Sequence, residues 1–94
     1  MNYPNHVKIY MQHFDIGPED IWWCEATGTQ HKFKDMQVHH INGRGKGMDI
    51  IENLICLQPR IHTYAHGGKK YVSKSDFKYI HRAFMTGQRK AFLS

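Results

Sequence analysis

QVHHINGRGKG, residues 37–47, and HTYAH, residues 62–66, hold four of the chain's eight histidines. Imidazole is the commonest transition-metal ligand in proteins, and it is also a general base that titrates near neutral pH. This concentration of histidines around a glycine-rich segment predicts a site for metal binding or for acid–base chemistry. A single histidine is more often an ordinary structural residue, so the prediction depends on how the surrounding chain folds.

The segment that contains these histidines is predicted to form two strands followed by a helix. Residues 36–41 alternate in polarity as a β-strand does. The three glycines that follow predict a mobile turn, and residues 49–57 are apolar enough for a second strand. Pro59 fits the first turn of a helix that runs to about His66, where two glycines end it.

The spacing of the histidines limits which of them can share a site. His39 and His40 are neighbours on the first strand and would point to opposite faces, so the strand must end, bulge or twist if both serve one site. His62 and His66 are four residues apart on the helix and project on the same side, where they could share one metal ion. His66 has an alternative role as a histidine that complements the dipole at the end of the helix.

The N-terminal third is predicted to contribute one helix and one short strand. The helix begins near Pro4 and stops at residues 17–18, a Gly-Pro pair. Its apolar face is spaced at i, i+3, i+4 and i+7 and consists of Val7, Tyr10, Met11 and Phe14. Residues 21–24 predict a strand, residues 25–29 a turn, and residues 31–34 a polar connection.

The C-terminal third is predicted to form a last helix, capped by Ser73 or Ser75 and ended by Gly87. One face of this helix collects the apolar side chains Phe77, Ile80 (or His81) and Phe84. Residues 88–94 are predicted to be a frayed tail. Residues 1–94 as a whole are predicted to be a single α+β domain.

Composition narrows the class of partner. The chain has a formal charge of +5 and a pI near 9.4, which suits a polyanion, nucleic acid first and an anionic membrane second. No segment has the length of a membrane span, and no signal peptide is apparent at the N-terminus. Two cysteines make no disulfide framework. These features predict a soluble protein of the cytoplasm with no membrane partner.

Two familiar motifs are excluded by single residues. A helical metalloprotease motif needs Glu directly after its first histidine as the general base, whereas here Thr63 follows His62. A phosphate-binding loop of the NTPase kind needs Ser or Thr after its lysine, whereas Gly47 follows Lys46.

The combination of elements is more specific than any one of them. A His-His pair lies on the first strand, Asn53 opens the sequence Asn-Leu-x-x-Leu, and a histidine follows Asn53 by nine residues on a helix. In residue types, order and spacing this resembles the HNH endonucleases. The three letters of that name fall on His40, Asn53 and His62. The resemblance covers about residues 36–67 and implies a ββα-metal core, a two-stranded hairpin plus a short helix, flanked by the two outer helices.

The resemblance implies a role for each residue. His39 falls on the first metal position, His62 on the second, and His66 on the additional metal histidine found in DNase colicins. His40 falls on the general base that takes a proton from the attacking water. Asn53 falls on the residue that bonds backbone across the loop between the strands and so fixes the base. The implied activity is metal-dependent hydrolysis of DNA phosphodiester bonds, most simply as a nick.

The resemblance implies one divalent ion without naming it. Three imidazoles favour Zn²⁺ or Ni²⁺. If His66 is not a ligand, waters fill the coordination shell and Mn²⁺ or Mg²⁺ becomes suitable. Many relatives also carry a structural zinc held by four cysteines, but Cys24 and Cys56 do not match that pattern. We therefore expect no such zinc, and we expect both cysteines to be small buried residues.

The expected partner is double-stranded DNA, bound through its phosphates by a monomer or a homodimer. The candidate phosphate contacts are Arg44, Lys46, Lys69 and Lys70, which would otherwise form a solvated basic face. The rival functions are a catalytically inactive, metal-stabilised nucleic-acid-binding module and a zinc-stabilised protein-interaction domain. Nicking of plasmid DNA separates the first rival from a nuclease, and a steep salt dependence of DNA binding separates the second.

Overall fold

Two antiparallel β-hairpins and three α-helices make up the part of the chain that the computed structural model describes, residues 2–68 and 70–94. In chain order the elements are α1 (Asn5–Phe14), β1 (Ile21–Trp23), β2 (Gln30–Lys32), β3 (Gln37–His40), β4 (Leu54–Leu57), α2 (Pro59–His62) and α3 (Lys74–Met85). Short 3₁₀ turns precede β3 and β4 and follow α2. The α+β class predicted from the sequence is confirmed. No helix among the described residues is long and apolar enough to cross a membrane.

Helix α1 carries the predicted apolar face. Tyr10 is buried, and its three partners at helical spacing pack against the core. Pro4 is the N-cap residue, and its carbonyl accepts hydrogen bonds from the amides of Val7 and Lys8. The helix ends at Phe14 because Asp15 adopts a left-handed conformation with φ of 54°, so it stops before the Gly-Pro pair.

The first hairpin contains a strand that the sequence prediction missed. Trp22 of β1 pairs with His31 of β2, where the sequence predicted a polar connection. The turn between the strands is closed by the amide of Cys24, which donates to the carbonyl of Thr29 at 2.8 Å. Strand β2 has two exposed polar residues, so it lacks the apolar alternation that identifies a strand from sequence.

The second hairpin joins β3 to β4, with His39 opposite Ile55 and His40 opposite Leu54. Strand β4 is shorter than the strand predicted at residues 49–57, because Ile51–Asn53 form a 3₁₀ turn before it. All four residues of β4 are buried. A strand that is buried on both faces has an unbroken apolar sequence, and this pattern predicts the strand. The predicted strand began too early because Ile50 is apolar, although it lies exposed in the loop.

Both remaining helices begin where the sequence predicted. Pro59 occupies the first turn of α2, which is α-helical only to His62 and continues as a 3₁₀ turn, Thr63–His66. Ser73 caps α3, and its hydroxyl accepts the amide of Asp76 at 3.2 Å. The predicted apolar face of α3 is buried.

The C-terminal tail is held against the domain, so the prediction of a frayed tail is wrong. The amides of Phe92 and Leu93 donate to the carbonyl of Ala26 at 2.8 and 2.9 Å. The guanidinium of Arg89 lies 3.8 Å from the ring centroid of Phe84. These contacts involve a residue of the first hairpin's turn and a residue of α3, which the local sequence of the tail does not reveal.

The buried carboxylate of Glu25 forms hydrogen bonds with residues of α1, β4 and α3. One oxygen of Glu25 accepts the hydroxyl of Tyr10 at 2.5 Å and the amide of Cys56 at 2.9 Å, and the other accepts His81 Nδ1 at 2.7 Å. His81 Nε2 lies 2.7 Å from the carbonyl of Ile51. Because both ring nitrogens face acceptors, the ring is a protonated donor. Burial lowers the pKa of His81, but the hydrogen bond and charge of Glu25 outweigh it, and the pKa is raised.

Cys24 and Cys56 are both buried in the core as free thiols, which confirms the prediction that they act as small buried residues. The sulfur of Cys24 accepts the amide of Gln58 at 3.4 Å. The two cysteines therefore serve the packing between the first hairpin and β4.

Candidate metal and catalytic centre

The structure brings His39 and His62 together. His39 Nδ1 on β3 lies 3.0 Å from His62 Nε2 on α2. Strand β4 pairs antiparallel with β3, so its last residue, Leu57, lies opposite Gln37, the first residue of β3. Helix α2 begins two residues later, so it starts beside the beginning of β3 and carries His62 to His39. Two nitrogens bound to one tetrahedral zinc at about 2.0–2.1 Å are about 3.3 Å apart. The observed separation therefore needs only a small opening to admit an ion.

His66 lies at the same place but further out. Its ring centroid is 5.2 Å from that of His62 and 6.3 Å from that of His39. The three rings line one cleft of about 270 Å³, whose other lining residues are Val38, His40, Gly43 and Arg44. His66 can reach an ion held by the inner pair only after a change of its side-chain conformation.

The surroundings of His39 and His62 keep these two imidazoles neutral. Burial, followed by the nearby rings of His62 and His66, lowers the pKa of His39 to about 4. Burial and the neighbouring His66 also lower the pKa of His62. A neutral imidazole offers a lone pair, which is the form that binds a metal. At neutral pH the inner pair is therefore available as ligands.

His40 lies beside this pair and faces a carboxylate. Strand β3 ends at His40, as the sharing of one site by two adjacent histidines requires, and both residues line the same cleft. His40 Nε2 is 2.7 Å from Asp49 Oδ1, while the other oxygen of Asp49 accepts the side-chain amide of Asn5 at 3.0 Å. The hydrogen bonds from His40 and Asn5 lower the pKa of Asp49.

His6 of α1 completes the surroundings of His40. The two rings have centroids 4.4 Å apart. Burial, then the charges of His40 and Arg44, lower the pKa of His6. One ligand atom from each of His6, His40 and Asp49 lies within 4.8 Å of the others, so these residues could together hold a metal ion.

Sequence reasoning missed both His6 and Asp49. His6 lies on a helix far from the histidine-rich stretch along the chain, and only the packing of α1 against β3 brings it there. Asp49 follows the last glycine of the loop by two residues. The one signal in the sequence was that the loop after the candidate base, His40, ends in a carboxylate, Asp49.

Asn53 fixes the loop between the two strands. Its side-chain oxygen accepts the amide of Asn42 at 2.8 Å, and its side-chain nitrogen donates to the carbonyls of Met48 and Gly43 at 3.0 and 3.4 Å. The backbone carbonyl of Asn53 also accepts the amide of Ile41 at 2.9 Å. The side chain is 3% exposed, so these bonds form away from water and hold both ends of the loop.

Replacing Asn53 with alanine is expected to lower the free energy of unfolding by about 2–3 kcal/mol, since several buried hydrogen bonds worth about 1 kcal/mol each are lost. Urea denaturation measures the change. Asn42→Ala is the control, because that side chain is exposed, and it should stay within about 0.5 kcal/mol of the parent. Equal effects of the two substitutions would show that Asn53 does not hold the loop.

The predicted phosphate contacts have different positions. Arg44 is exposed on the loop and lines the histidine cleft. Lys46 is exposed on the same loop, and Lys70 is exposed beyond the 3₁₀ turn, with its Nζ 6.0 Å from the ring centroid of Tyr64. Lys69 lies outside the described residues.

Comparison of the chain with protein-family models, with curated proteins and with solved structures found no match. What the structure defines is therefore a class of site: neutral imidazoles from a hairpin and a short helix, beside a histidine–carboxylate pair, in a cleft with an arginine at its edge.

Proposed function

We propose that this chain is a metal-dependent DNA endonuclease with an HNH-type, ββα-metal active site. The observation that carries the proposal is the 3.0 Å approach of His39 Nδ1 to His62 Nε2, in a cleft that His40 also lines. The order of β3, β4 and α2 matches the order that a ββα-metal core requires.

His39 and His62 would hold the divalent ion, with His66 as a third ligand after rotation of its side chain. The ion would supply Lewis-acid stabilisation of the negative charge that develops on the phosphate and on the leaving 3′ oxygen. Two or three imidazoles suit Zn²⁺ or Ni²⁺, and Mn²⁺ or Mg²⁺ with waters in the remaining positions.

His40 would take the proton from the attacking water. Asp49 occupies Nε2 of the ring, so Nδ1 is the nitrogen that would accept the proton. A carboxylate in this position orients the imidazole and stabilises its protonated form, as it does in other histidine general bases. Asn53 would contribute indirectly, since its bonds fix the loop that carries Asp49.

Arg44 would contact a DNA phosphate at the edge of the cleft, because its side chain is exposed and lines the cavity that His39 and His62 share. Lys46 lies two residues further along the same exposed loop and would extend this contact. A backbone contact of this kind positions DNA without reading its sequence.

One observation favours the rival function, an inactive metal-stabilised module that binds nucleic acid. His40 is only 7% exposed and is already paired with Asp49, an arrangement that a structural role would also explain. Nicking of supercoiled plasmid separates the two functions, because a binding module retards DNA in a gel but does not convert it to the open-circular form.

Replacing His62 with alanine is expected to weaken binding of Zn²⁺ at this site at least tenfold, since loss of even an outer partner of a metal ligand costs about 10–100-fold. Calorimetric titration of the chelator-treated chain measures the affinity, and plasmid nicking by the same samples should fall with it. His13→Ala is the matched control, because His13 is an exposed histidine of α1. If His62→Ala binds and nicks as the parent does, the proposed site is wrong.

A further inference from the structure

Three ligand-type residues from three separate segments converge on the far side of His40. His6 comes from the first turn of α1, His40 from the end of β3, and Asp49 from the loop before β4. Each offers one ligand atom within 4.8 Å of the other two. This cluster is separate from the His39–His62 pair and shares none of its residues.

The donor set is one that transition metals take. Two imidazoles and one carboxylate are the three protein ligands of a common type of zinc site, in which the fourth position stays open to solvent. His6 and His40 are 8% and 7% exposed, so their rings are held in place by packing. Asn5 holds the second carboxylate oxygen of Asp49 at 3.0 Å, an outer contact of the kind that orients metal-binding carboxylates.

The cluster is reachable from the surface. His6 lines a cavity of about 350 Å³ together with Val38, Arg44 and His62. These last three residues also line the cleft of the candidate active site. His40 lines that cleft and Asp49 is partly exposed, so an ion from solvent can approach all three ligands of the cluster.

We propose that His6, His40 and Asp49 form a second binding site for a transition-metal ion such as Zn²⁺, and that an ion held there inhibits the nuclease. The binding site stands on geometry alone, and its inhibitory effect rests on the function proposed above. A zinc ion would replace the proton that His40 Nε2 and Asp49 Oδ1 share across 2.7 Å. As a neutral ligand bound through Nε2, the ring of His40 would carry its proton on Nδ1. Nδ1, the nitrogen proposed to accept a proton from water, would then be occupied.

The negative charge of Asp49 favours binding of a cation at this site. The positive charge of Arg44 opposes it, since Arg44 is close enough to lower the pKa of His6. The carboxylate lies in direct contact with His40, whereas Arg44 is exposed and free to turn toward solvent. The direct contact therefore decides the balance in favour of binding.

Titration of the chelator-treated full chain with Zn²⁺, followed by calorimetry, is expected to give two equivalents. His6→Ala and Asp49→Asn should each retain one equivalent and bind the other more than about 100-fold more weakly, because a ligand is removed and loss of an outer partner alone costs about 10–100-fold. His62→Ala should lose the other equivalent. A parent chain that binds one equivalent, or variants that still bind two at parental affinity, would overturn the second site.

The buried ring of His6 makes folding of His6→Ala a concern, so the parent chain supplies a second measurement. Ring nitrogen NMR signals of His6 and His40 should shift on addition of Zn²⁺, together with those of His39 and His62. Signals of His6 that stay unchanged at two equivalents would overturn the proposal without any variant. Asp49→Asn, which changes a partly exposed side chain, should keep the circular dichroism spectrum of the parent.

Inhibition is measured as the ratio of Mn²⁺-supported plasmid nicking with and without added Zn²⁺. The Zn²⁺ concentration for half-inhibition should rise tenfold or more in His6→Ala. An unchanged value, in a variant that has lost the second equivalent, would overturn the inhibitory role. If the parent does not nick DNA with any ion, the nuclease proposal fails, and the Zn²⁺ stoichiometry still decides the site.

Discussion

Replacing His40 with alanine is expected to lower the rate of plasmid nicking by about 10²- to 10⁴-fold, the usual contribution of a general base. The physical reason is that the ring lines the cleft beside His39 and His62 and is oriented by Asp49, while it is not needed to hold the catalytic ion. Single-turnover conversion of supercoiled plasmid in the presence of Mn²⁺ measures the rate.

Two controls isolate the loss of the base. Calorimetry should find the affinity of the His39–His62 site for Mn²⁺ within a few-fold of the parent, and His13→Ala should nick at the parental rate. Nicking by His40→Ala at that rate would contradict the assignment. Loss of metal affinity at His39 and His62 would mean that His40 acts on the ion and not on water.

Replacing Glu25 with alanine is expected to lower the free energy of unfolding by about 3–5 kcal/mol, as removal of one partner of a buried ion pair does. The change leaves the hydroxyl of Tyr10, the amide of Cys56 and Nδ1 of His81 without their acceptor. Domains of this size have about 5–15 kcal/mol in all, so the variant should be close to unfolding at physiological temperature. Urea denaturation measures the difference.

Glu25→Gln is the informative comparison. Its amide oxygen can accept from Tyr10 and Cys56, and its amide nitrogen can donate to a neutral His81, so the loss should be clearly smaller than for alanine. Glu19→Ala, which removes exposed ion pairs with Lys32 and Lys34, should leave the free energy of unfolding close to that of the parent, because exposed ion pairs contribute little. Glu25→Ala within 1 kcal/mol of the parent would show that the buried network contributes little.

The same network gives stability a defined dependence on pH. The pKa of His81 is raised in the folded chain, so the contribution of its charged pairing with Glu25 is complete below the unfolded value of 6.5. It is lost as the pH rises through the raised pKa. The difference in the free energy of unfolding between the parent and Glu25→Gln should therefore narrow as the pH is raised above 6.5.

The histidine-rich core was predictable because its signals are local. The strand at 37–40, the buried strand before Pro59 and the helix that starts at that proline all follow from patterns within a few residues. The same spacing placed His39 and His62 as partners, and the structure brings their nitrogens to 3.0 Å. Asn53 was expected to bond backbone across the loop, and its side-chain oxygen accepts the amide of Asn42.

The remainder depends on contacts between segments distant in sequence. His6 reaches His40 only because α1 packs on β3. Residues 88–94 look frayed in sequence, yet Phe92 and Leu93 bond to Ala26. Strand β2 forms because β1 supplies its partner. In each case the contact joins segments that are distant along the chain, and neither local sequence identifies the other as its partner.

The most direct test of the central claim, that an ion bound between β3 and α2 cleaves DNA, is removal and return of metal in a plasmid-nicking reaction. Chelator-treated parent chain should leave supercoiled plasmid intact, and addition of Mn²⁺, Mg²⁺, Ni²⁺ or Zn²⁺ in turn should restore conversion to the open-circular form with at least one ion. His40→Ala purified in parallel should stay inactive and so exclude a contaminating nuclease. Plasmid that remains supercoiled with every ion, or nicking that persists after chelation, would contradict the account.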